Sequence, residues 1–445
     1  MMFSLATPEK PALFFTVLGE PPLKMLRYQQ QFGFFDEKVI GQSVHFVNLS
    51  NEMQTGDLRM VLDRIVQAVE AHGPGMVFVD SFRAVVIASR TDQPDAMGLQ
   101  QFVQELGMLM TNWQATTFLI GEYFSENDPN PVFTVSDGLI WLRQSLDRNS
   151  IIRKMEIIKM RGQASLAGQH TFRIGDNGVQ VFPPAQVSSQ NTERSAPPEG
   201  PPLGMGVPGL DEMMGGGLPR GYSLLVAGPS GSGKSILAAH FLAEGARCGE
   251  KSVIASFEQR PSLSRNRIVS DLIDSGDVGL IRARQADLSV DEVTALLLAE
   301  IKRLGATRVV VDSLSGFELM LAPTFTETYR QSLCQMISAV VSTGVSMLVT
   351  SELEDRYTDL RFSPYGAAFL TDAIIVQRYI EVDSRLLRVM AVVKVRAAAH
   401  SNELRQFTID ADGIRIGEMM SDYRGLLGGR PERSDRSDLI GEVRD

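Results

Sequence analysis

The strongest constraint on this chain is an internal repeat. Ser136-Asp-Gly-Leu-Ile-Trp-Leu-Arg143 aligns with Thr371-Asp-Ala-Ile-Ile-Val-Gln-Arg378 at an offset of 235 residues. The same offset, without a gap, carries Lys159-Met-Arg161 onto Lys394-Val-Arg396. It also carries Phe172-x-Ile174-x-x-x-Gly178 onto Phe407-x-Ile409-x-x-x-Gly413. Upstream, Met76-Val-Phe-Val-Asp80-Ser81 answers Val309-Val-Val-Asp312-Ser313 at 232, and Glu9-Lys10 answers Glu250-Lys251 at 241. The drift reflects changes in loop length. Two unrelated segments would not keep one register this long, so the chain reads as a duplicated domain.

Boundaries follow from composition. The run Pro183–Pro202 is rich in Ser, Pro and Gln with almost nothing to bury, which marks an exposed linker. The expected organisation is a first domain over 1–184, a linker over 185–203, a second domain over 204–420 and a mobile tail over 421–445. In the second half Tyr222–Ala227, Val253–Phe257, Arg308–Val311 and Val345–Thr350 read as strands. Ile236–Ala246, Leu263–Ile273 and Val290–Leu304 have helical length and periodicity. Strand–helix alternation of this kind predicts an α/β fold, two tandem domains each built on a mostly parallel sheet flanked by helices.

Composition then excludes several classes. With 44% hydrophobic and 22% charged residues, the 445-residue chain is a soluble globular type. No apolar run reaches the roughly 18–20 residues of a bilayer span. Pro11-Ala-Leu-Phe-Phe-Thr-Val17 follows no basic segment and precedes no small-residue cleavage site, so it reads as a strand and not a signal peptide. A net charge of −10 argues against nucleic acid as a bulk partner. Cys248 and Cys334 form no CxxC pair and fit two ordinary small apolar side chains in a reducing cytoplasm.

The chemistry concentrates in the second half. Gly228-Pro-Ser-Gly-Ser-Gly233-Lys234-Ser235 satisfies the pattern G-x-x-x-x-G-K-[ST], with a strand leading in and a helix leading out. Gly228, Pro229, Ser230, Gly231, Ser232 and Gly233 would wrap their backbone around phosphate, where a Cβ would obstruct. Lys234 would reach the β- and γ-phosphates and the Ser235 hydroxyl would ligate Mg²⁺. Asp312 ends the apolar run Val309-Val-Val311, which puts its carboxylate at the carboxyl end of a central strand beside that loop, placed to hold Mg²⁺ through water. A bland alternative is a turn-capping aspartate. Glu258 ends the next strand, where a carboxylate can activate water for attack on a γ-phosphate, or simply face solvent. Lys394 and Arg396, two apart on a strand, point to one face and suggest phosphate contact, with a neighbouring subunit's nucleotide as one candidate. A solvated edge would carry the same pair, but its reappearance as Lys159 and Arg161 favours function. His400 reads equally well as a surface histidine.

These motifs carry a resemblance. Gly209-Leu-Asp-Glu-Met-Met-Gly-Gly-Gly-Leu-Pro-Arg-Gly221, Ser256-Phe-Glu258-Gln259, Val311-Asp312-Ser313-Leu-Ser315, Ile158-Lys-Met-Arg-Gly162 and Lys394-Val-Arg396-x-x-x-His400 resemble the KaiC family of tandem RecA-fold ATPases from Pro8 to about Gly417. The resemblance implies hexameric rings with ATP and Mg²⁺ between subunits, Lys394 and Arg396 acting in trans, and an unidentified signalling partner. It also implies Ser/Thr autokinase activity as a secondary reading. Such a trans arginine can be worth ~10³–10⁵ in rate in other NTPases.

Three departures qualify the match. The repeat register puts the first domain's phosphate loop just before Met1. We expect a start placed downstream of the native one; otherwise the first domain is a scaffold. Either way, losing a central strand would leave a gap in its sheet and expose apolar faces. The family's paired acids fall near Leu18-Gly19-Glu20 in this half, leaving one. In the second half the pair is Glu258-Gln259, and Gln cannot take a proton, so slow hydrolysis is expected. The family's phosphorylated Ser-Thr pair is Ala368-Phe369, which rules out that modification there. Ser363 and Thr371 are the nearby hydroxyls. The leading reading is therefore an ATPase with regulatory output. A nucleotide-gated scaffold that does not hydrolyse and a RecA-like DNA-dependent ATPase are the rivals.

Overall fold

The computed structural model describes residues 1–17, 22–88, 98–123, 130–147, 150–184, 199–257, 267–282, 288–321, 329–353, 370–421, 423–425 and 432–433. The chain divides into two compact units, Met1–Arg143 with Arg153–Val181, and Gln144–Ile152 with Phe182–Asp445.

The first unit contains β1 (Ala12–Thr16), β2 (Val44–Asn48), β3 (Met76–Asp80), β4 (Thr116–Ile120), the greater part of β5 (Gly138–Asp147) and β6 (Ser150–Met160), whose joined ends fall to the second unit, β7 (Gln169–Gly175) and all but the last residue of β8 (Gly178–Phe182). They form two separate four-stranded sheets, β2-β1-β3-β4 and β5-β6-β7-β8. The first of these is parallel throughout. Its inner strands β1 and β3 read as apolar runs because both faces are covered. Leu13, Phe15, Val77 and Val79 meet the helices Leu58–His72 and Leu99–Asn112 on one face. Ala12, Phe14 and Phe78 meet Met2 on the other.

The second unit contains β9 (Ser223–Gly228), β10 (Ser252–Ser256), β11 (Val278–Arg282), β12 (Arg308–Asp312), β13 (Ser346–Glu352), β14 (Ala373–Val382), β15 (Arg385–Val395), β16 (Arg405–Asp410) and β17 (Gly413–Met419). Here one nine-stranded sheet runs β11-β10-β12-β13-β9-β14-β15-β16-β17. Strands β11 through β14 are parallel to their neighbours. From β14 onward the ladder is antiparallel. The period-two alternation of strand side chains sorts the core. Leu224, Val226, Val310 and Leu348 pack under the helix Lys234–Arg247. Leu225, Val309, Val311 and Val349 pack under Val290–Leu304 and Tyr329–Val341.

The helix Val290–Leu304 shows why these segments fold locally. The Ser289 hydroxyl accepts the Glu292 N–H at 3.1 Å, and Gly305 closes the helix at φ +62°. Acids Asp291 and Glu292 occupy its first turn and Lys302 and Arg303 its last, complementing the helix dipole. A cap of this kind is worth about 1 kcal/mol. Val293, Leu297 and Ile301, spaced four apart, are buried.

Strand order confirms the α/β architecture and the repeat. Reading β1 as the counterpart of β10, β2 of β11, β3 of β12, β4 of β13 and β5–β8 of β14–β17 reproduces the second sheet with only β9 removed. The expected gap in the first sheet is therefore present, with apolar side chains bared beside it. Ile140 is 47% exposed, whereas its counterpart Ile375 is fully buried.

Expected elements moved little. Strand 345–350 runs on through Glu352, and helix 236–246 starts at Lys234. The helix expected from Leu263 is described from Arg267 to Asp274, its first residues lying outside the described set. Leu203, at the end of the expected linker, is buried and pairs with Leu218. Of the expected tail, Tyr423–Arg424 pairs with Glu432–Arg433.

Candidate functional site

The loop Gly228–Ser235 sits at the carboxyl end of β9 and opens the helix that starts at Lys234. Gly233 caps that helix at φ +106°, and a Cβ there would lie 2.6 Å from Ile409 Cδ1. Only glycine satisfies both demands. A Cβ on Gly228 would likewise meet the Ser232 hydroxyl at 2.7 Å. Ser232 is fully buried and donates to Gln377 Oε1 at 3.0 Å, so β14 holds the loop from below. The loop also lies against Tyr379, whose hydroxyl is 3.2 Å from the position of a Cβ on Gly231. The Arg388 guanidinium lies over the Tyr379 ring at 5.4 Å from its centre.

Lys234 folds back on the loop, donating from Nζ to the carbonyls of Gly228 at 2.8 Å and Pro229 at 2.7 Å. Burial lowers its pKa, and the carboxylates of Glu352 and Asp312 oppose that change. This is a cation held by carbonyls that an anion can replace, over backbone N–H groups left at a helix start.

Asp312 ends β12 as expected, with β13 running between that strand and β9, and its carboxylate is near enough to Lys234 to act on its charge. The intervening strand brings polar groups to the same end of the sheet. Thr350 Oγ1 donates to Asp312 Oδ1, and Glu352 lies level with Gly228 across the ladder. The Glu352 N–H is taken up by Ser315 Oγ at 3.1 Å. Sequence reasoning missed Thr350, Glu352 and Gln377. The available signal was polar residues interrupting apolar strands at their carboxyl ends, where α/β sheets bind ligands. Glu258 and Gln259, Ala368 and Phe369, and Ser363 lie outside the described residues.

Lys394 and Arg396 are brought together, but away from this loop. Lys394 is on β15, and Arg396 sits one residue past its end. Between Ile374 and Ile375 the β14–β15 register shifts, so that Ile374 faces Lys394 and Ile375 faces Val392. Such a bulge re-aims the side chains that follow it. Lys394 Nζ donates to the Thr371 carbonyl at 2.6 Å, and Arg396 pairs with Asp372 at 3.2 Å. Burial and the neighbouring Arg396 lower the Lys394 pKa. The Asp372 N–H donates to the Ser223 carbonyl, at the amino end of β9. Gly228 is five residues further along that extended strand, or roughly 17 Å at ~3.3 Å per residue. Lys394 and Arg396 thus lie at the end of the sheet opposite their own phosphate loop. In the first unit the arrangement recurs: Lys159 Nζ donates to the carbonyls of Phe133 and Thr134, and Arg161 pairs with Asp137. Burial lowers the Lys159 pKa as well. His400 is half-buried, and its Nδ1 has no hydrogen-bond partner among the described residues.

Elsewhere, a hollow of about 580 Å³ along the edge strand β11, lined by Ile273, Leu280, Glu300 and Leu304, lies four strands from β9. Arg282 and Arg303 line it as well, and Arg303 is paired with Glu300 at 2.7 Å. Among the described residues, no cluster of three or more His, Cys, Asp or Glu side chains forms a metal site, and no helix is long and apolar enough to cross a membrane.

A glycine-rich loop between a central parallel strand and its helix, with a lysine at the helix start and carboxylates on the neighbouring strands, defines a nucleotide-binding protein of the P-loop class. Its two units share a RecA-like plan. The sequence profile described as "ATPase: KaiC" matches residues 4–186 and 203–421, and the chain belongs to the KaiC family. The circadian clock oscillator protein KaiC of Rippkaea orientalis is 24% identical over 454 residues, covering 98% of this chain and 85% of the relative. KaiC 1 of Synechocystis is 25% identical over 459 residues, covering 98% and 86%. KaiC of Thermosynechococcus vestitus is 25% identical over 442 residues, covering 95% and 82%.

Proposed function

We propose that this KaiC-family protein binds ATP with Mg²⁺ at Gly228–Ser235 and hydrolyses it at subunit contacts of a homo-oligomeric ring, with a regulatory output read by a protein partner. The observation that carries the reading is the opposed placement of loop and cations. Lys394 and Arg396 are too far from their own loop to meet its nucleotide, which supports their presentation to it by a second copy.

The loop N–H groups and Lys234 would bind the phosphates, Lys234 exchanging its two carbonyl partners for phosphate oxygens. The hard oxygens of Ser235 and Asp312 suit Mg²⁺. Bound there with the nucleotide, the ion would supply charge neutralisation on the phosphate oxygens. The Thr350 hydroxyl fixes the Asp312 carboxylate. Glu258 would take the proton of the attacking water, and Glu352 is the carboxylate that the described residues place nearest in register to the loop. Regulatory output rests on the relatives, which are named circadian clock oscillator proteins. Autokinase activity would have to use another hydroxyl than the pair replaced by Ala368-Phe369.

Hydrolysis of Mg²⁺-ATP as a function of protein concentration, with Lys234→Ala as the blank, tests the reading. Turnover per chain should rise as subunits associate and vanish in the variant. Tight ATP binding with no turnover above the blank would favour the non-hydrolysing scaffold, while stimulation by single-stranded DNA that fades with salt would favour a DNA-dependent enzyme.

A further inference from the structure

We propose that Asp372 is a positioning residue: it orients the Arg396 guanidinium for a neighbouring subunit's nucleotide and ties that orientation to Ser223, the first residue of its own phosphate-loop strand. The inference rests on the trans reading of Arg396 above.

Asp372 is only 1% exposed, and a buried carboxylate needs its charge answered. Among the donors that answer it are the Ser223 N–H at 3.1 Å, the Ser223 hydroxyl at 2.9 Å and Arg396 Nη1 at 3.2 Å. The backbone is fixed as well, since the Asp372 N–H reaches the Ser223 carbonyl and the Arg396 N–H reaches the Asp372 carbonyl at 3.0 Å. The guanidinium itself is 43% exposed, so Asp372 anchors one edge of a group that still reaches solvent. An exposed arginine has many rotamers, and a fixed partner on one edge removes most of them before the phosphate arrives.

Three features set this apart from an incidental ion pair. Asp372 is 1% exposed and held by β9, whereas the same pair in the first unit, Arg161 with Asp137 at 3.3 Å, has its aspartate 80% exposed. The β15 bulge lies immediately before the cations, where it sets their direction. Finally, Ala397 follows Arg396 in the left-handed region at φ +53°, so the chain turns sharply once the arginine has been placed. Because β9 carries Ser223 at one end and the phosphate loop at the other, a subunit's own loop strand helps hold the arginine offered to the next site.

The test uses full-length variants in Mg²⁺-ATP turnover. Asp372→Asn should lower kcat on the order of 10- to 100-fold and leave KM within about 2-fold. Combined with Arg396→Ala, it should lose no more than Arg396→Ala alone. Mixing Asp372→Asn with Lys234→Ala should restore turnover, because the second chain supplies an intact Asp372–Arg396 pair to the first chain's intact loop. Wild-type kcat in Asp372→Asn would overturn the proposal, as would additive losses in the double variant. So would a mixture that stays inactive while Arg396→Ala mixed with Lys234→Ala recovers, since Asp372 would then serve only its own strand. Should Arg396→Ala keep full activity, or fail to recover on mixing, the trans reading itself falls and takes this inference with it. If Asp372→Asn does not fold, Ser223→Ala replaces it: a smaller kcat loss, restored by mixing, supports the proposal, and unchanged kcat overturns it.

Discussion

The two units are the same plan with and without one strand. In the second, β9 joins the parallel strands to the antiparallel hairpins and makes one sheet of nine. In the first, the strands on either side of that position end two sheets, and each presents an edge unpaired among the described residues. The consequences reach individual side chains. Asp372 is almost completely buried beside β9, whereas its counterpart Asp137 is 80% exposed and its pair with Arg161 lies in solvent. Exposed pairs of this kind contribute between nothing and about 1 kcal/mol. The same residues at the same spacing thus form an anchored device in one half and a surface contact in the other. Ion-pair geometry copied between halves shows common ancestry of the local fold; burial by the central strand decides what the pair can do.

The largest expected effect asks whether the copied cations are equivalent. Arg396→Ala should reduce ATP turnover by about 10³–10⁵, the range of trans arginines in other NTPases. Arg161→Ala should change it far less. Equal losses would break the comparison and give the first unit a nucleotide-dependent role of its own. Lys394→Ala and Lys159→Ala extend the same contrast.

Hydrogen exchange probes the sheets directly. Amides of β13 and β14 that bond to β9 belong to a continuous ladder and should open only with free energies approaching global unfolding, several kcal/mol. The amides of β4 that do not bond to β3, and those of β5 that do not bond to β6, should exchange orders of magnitude faster. Matching protection in the two units would mean that something covers the edges of the first.

Much of this contrast was legible in the residues. The glycine and lysine spacing of Gly228–Ser235 marks the loop because phosphate binding demands bare backbone, and the uninterrupted 235-residue offset marks the duplication. The gap in the first sheet follows from the same register. What the chain does not display is pairing at a distance. Nothing local in Val309–Asp312 shows that β13 will lie between it and β9. Thr371-Asp372 marks the repeat, but nothing local in it shows that Ser223, far away in sequence, donates to Asp372 twice. Gln377 looks like a polar break in a strand until Ser232 meets it. Residues whose role is to hold another residue leave the weakest local signal.

Acidification should weaken both units through different histidines. In the second, His240 on the loop helix accepts the Ile414 N–H at Nε2 (3.3 Å), and burial lowers its pKa. In the first, burial and the neighbouring His72 lower the pKa of His45, whose ring lies 4.4 Å from that of His72. A depressed folded pKa means the unfolded chain binds the proton first. Stability is then fully present above the unfolded value near 6.5 and falls as pH drops from there to the folded one. Thermal melts between about pH 7.5 and 5 should show two declines, one removed by His240→Gln and the other by His45→Gln. A pH-independent melting temperature would mean that neither ring is held neutral by the fold.

The smallest effect uses one half of the chain to correct the other. Directly after the second cation the first unit has Gly162, at φ +74°, and the second has Ala397, at φ +53°. A left-handed alanine costs about 1–2 kcal/mol from its Cβ, while a glycine there gives back about 0.5–1 kcal/mol through the freedom of the unfolded chain. Ala397→Gly should therefore stabilise the second unit by about 1 kcal/mol or less, and a small rise in its melting temperature would show it. A fall would mean that the alanine methyl makes contacts worth more than the strain. If kcat drops while the melting temperature rises, the turn is held stiff for the sake of Arg396, and the second unit has given up stability for aim where the first, with its exposed pair, had no reason to.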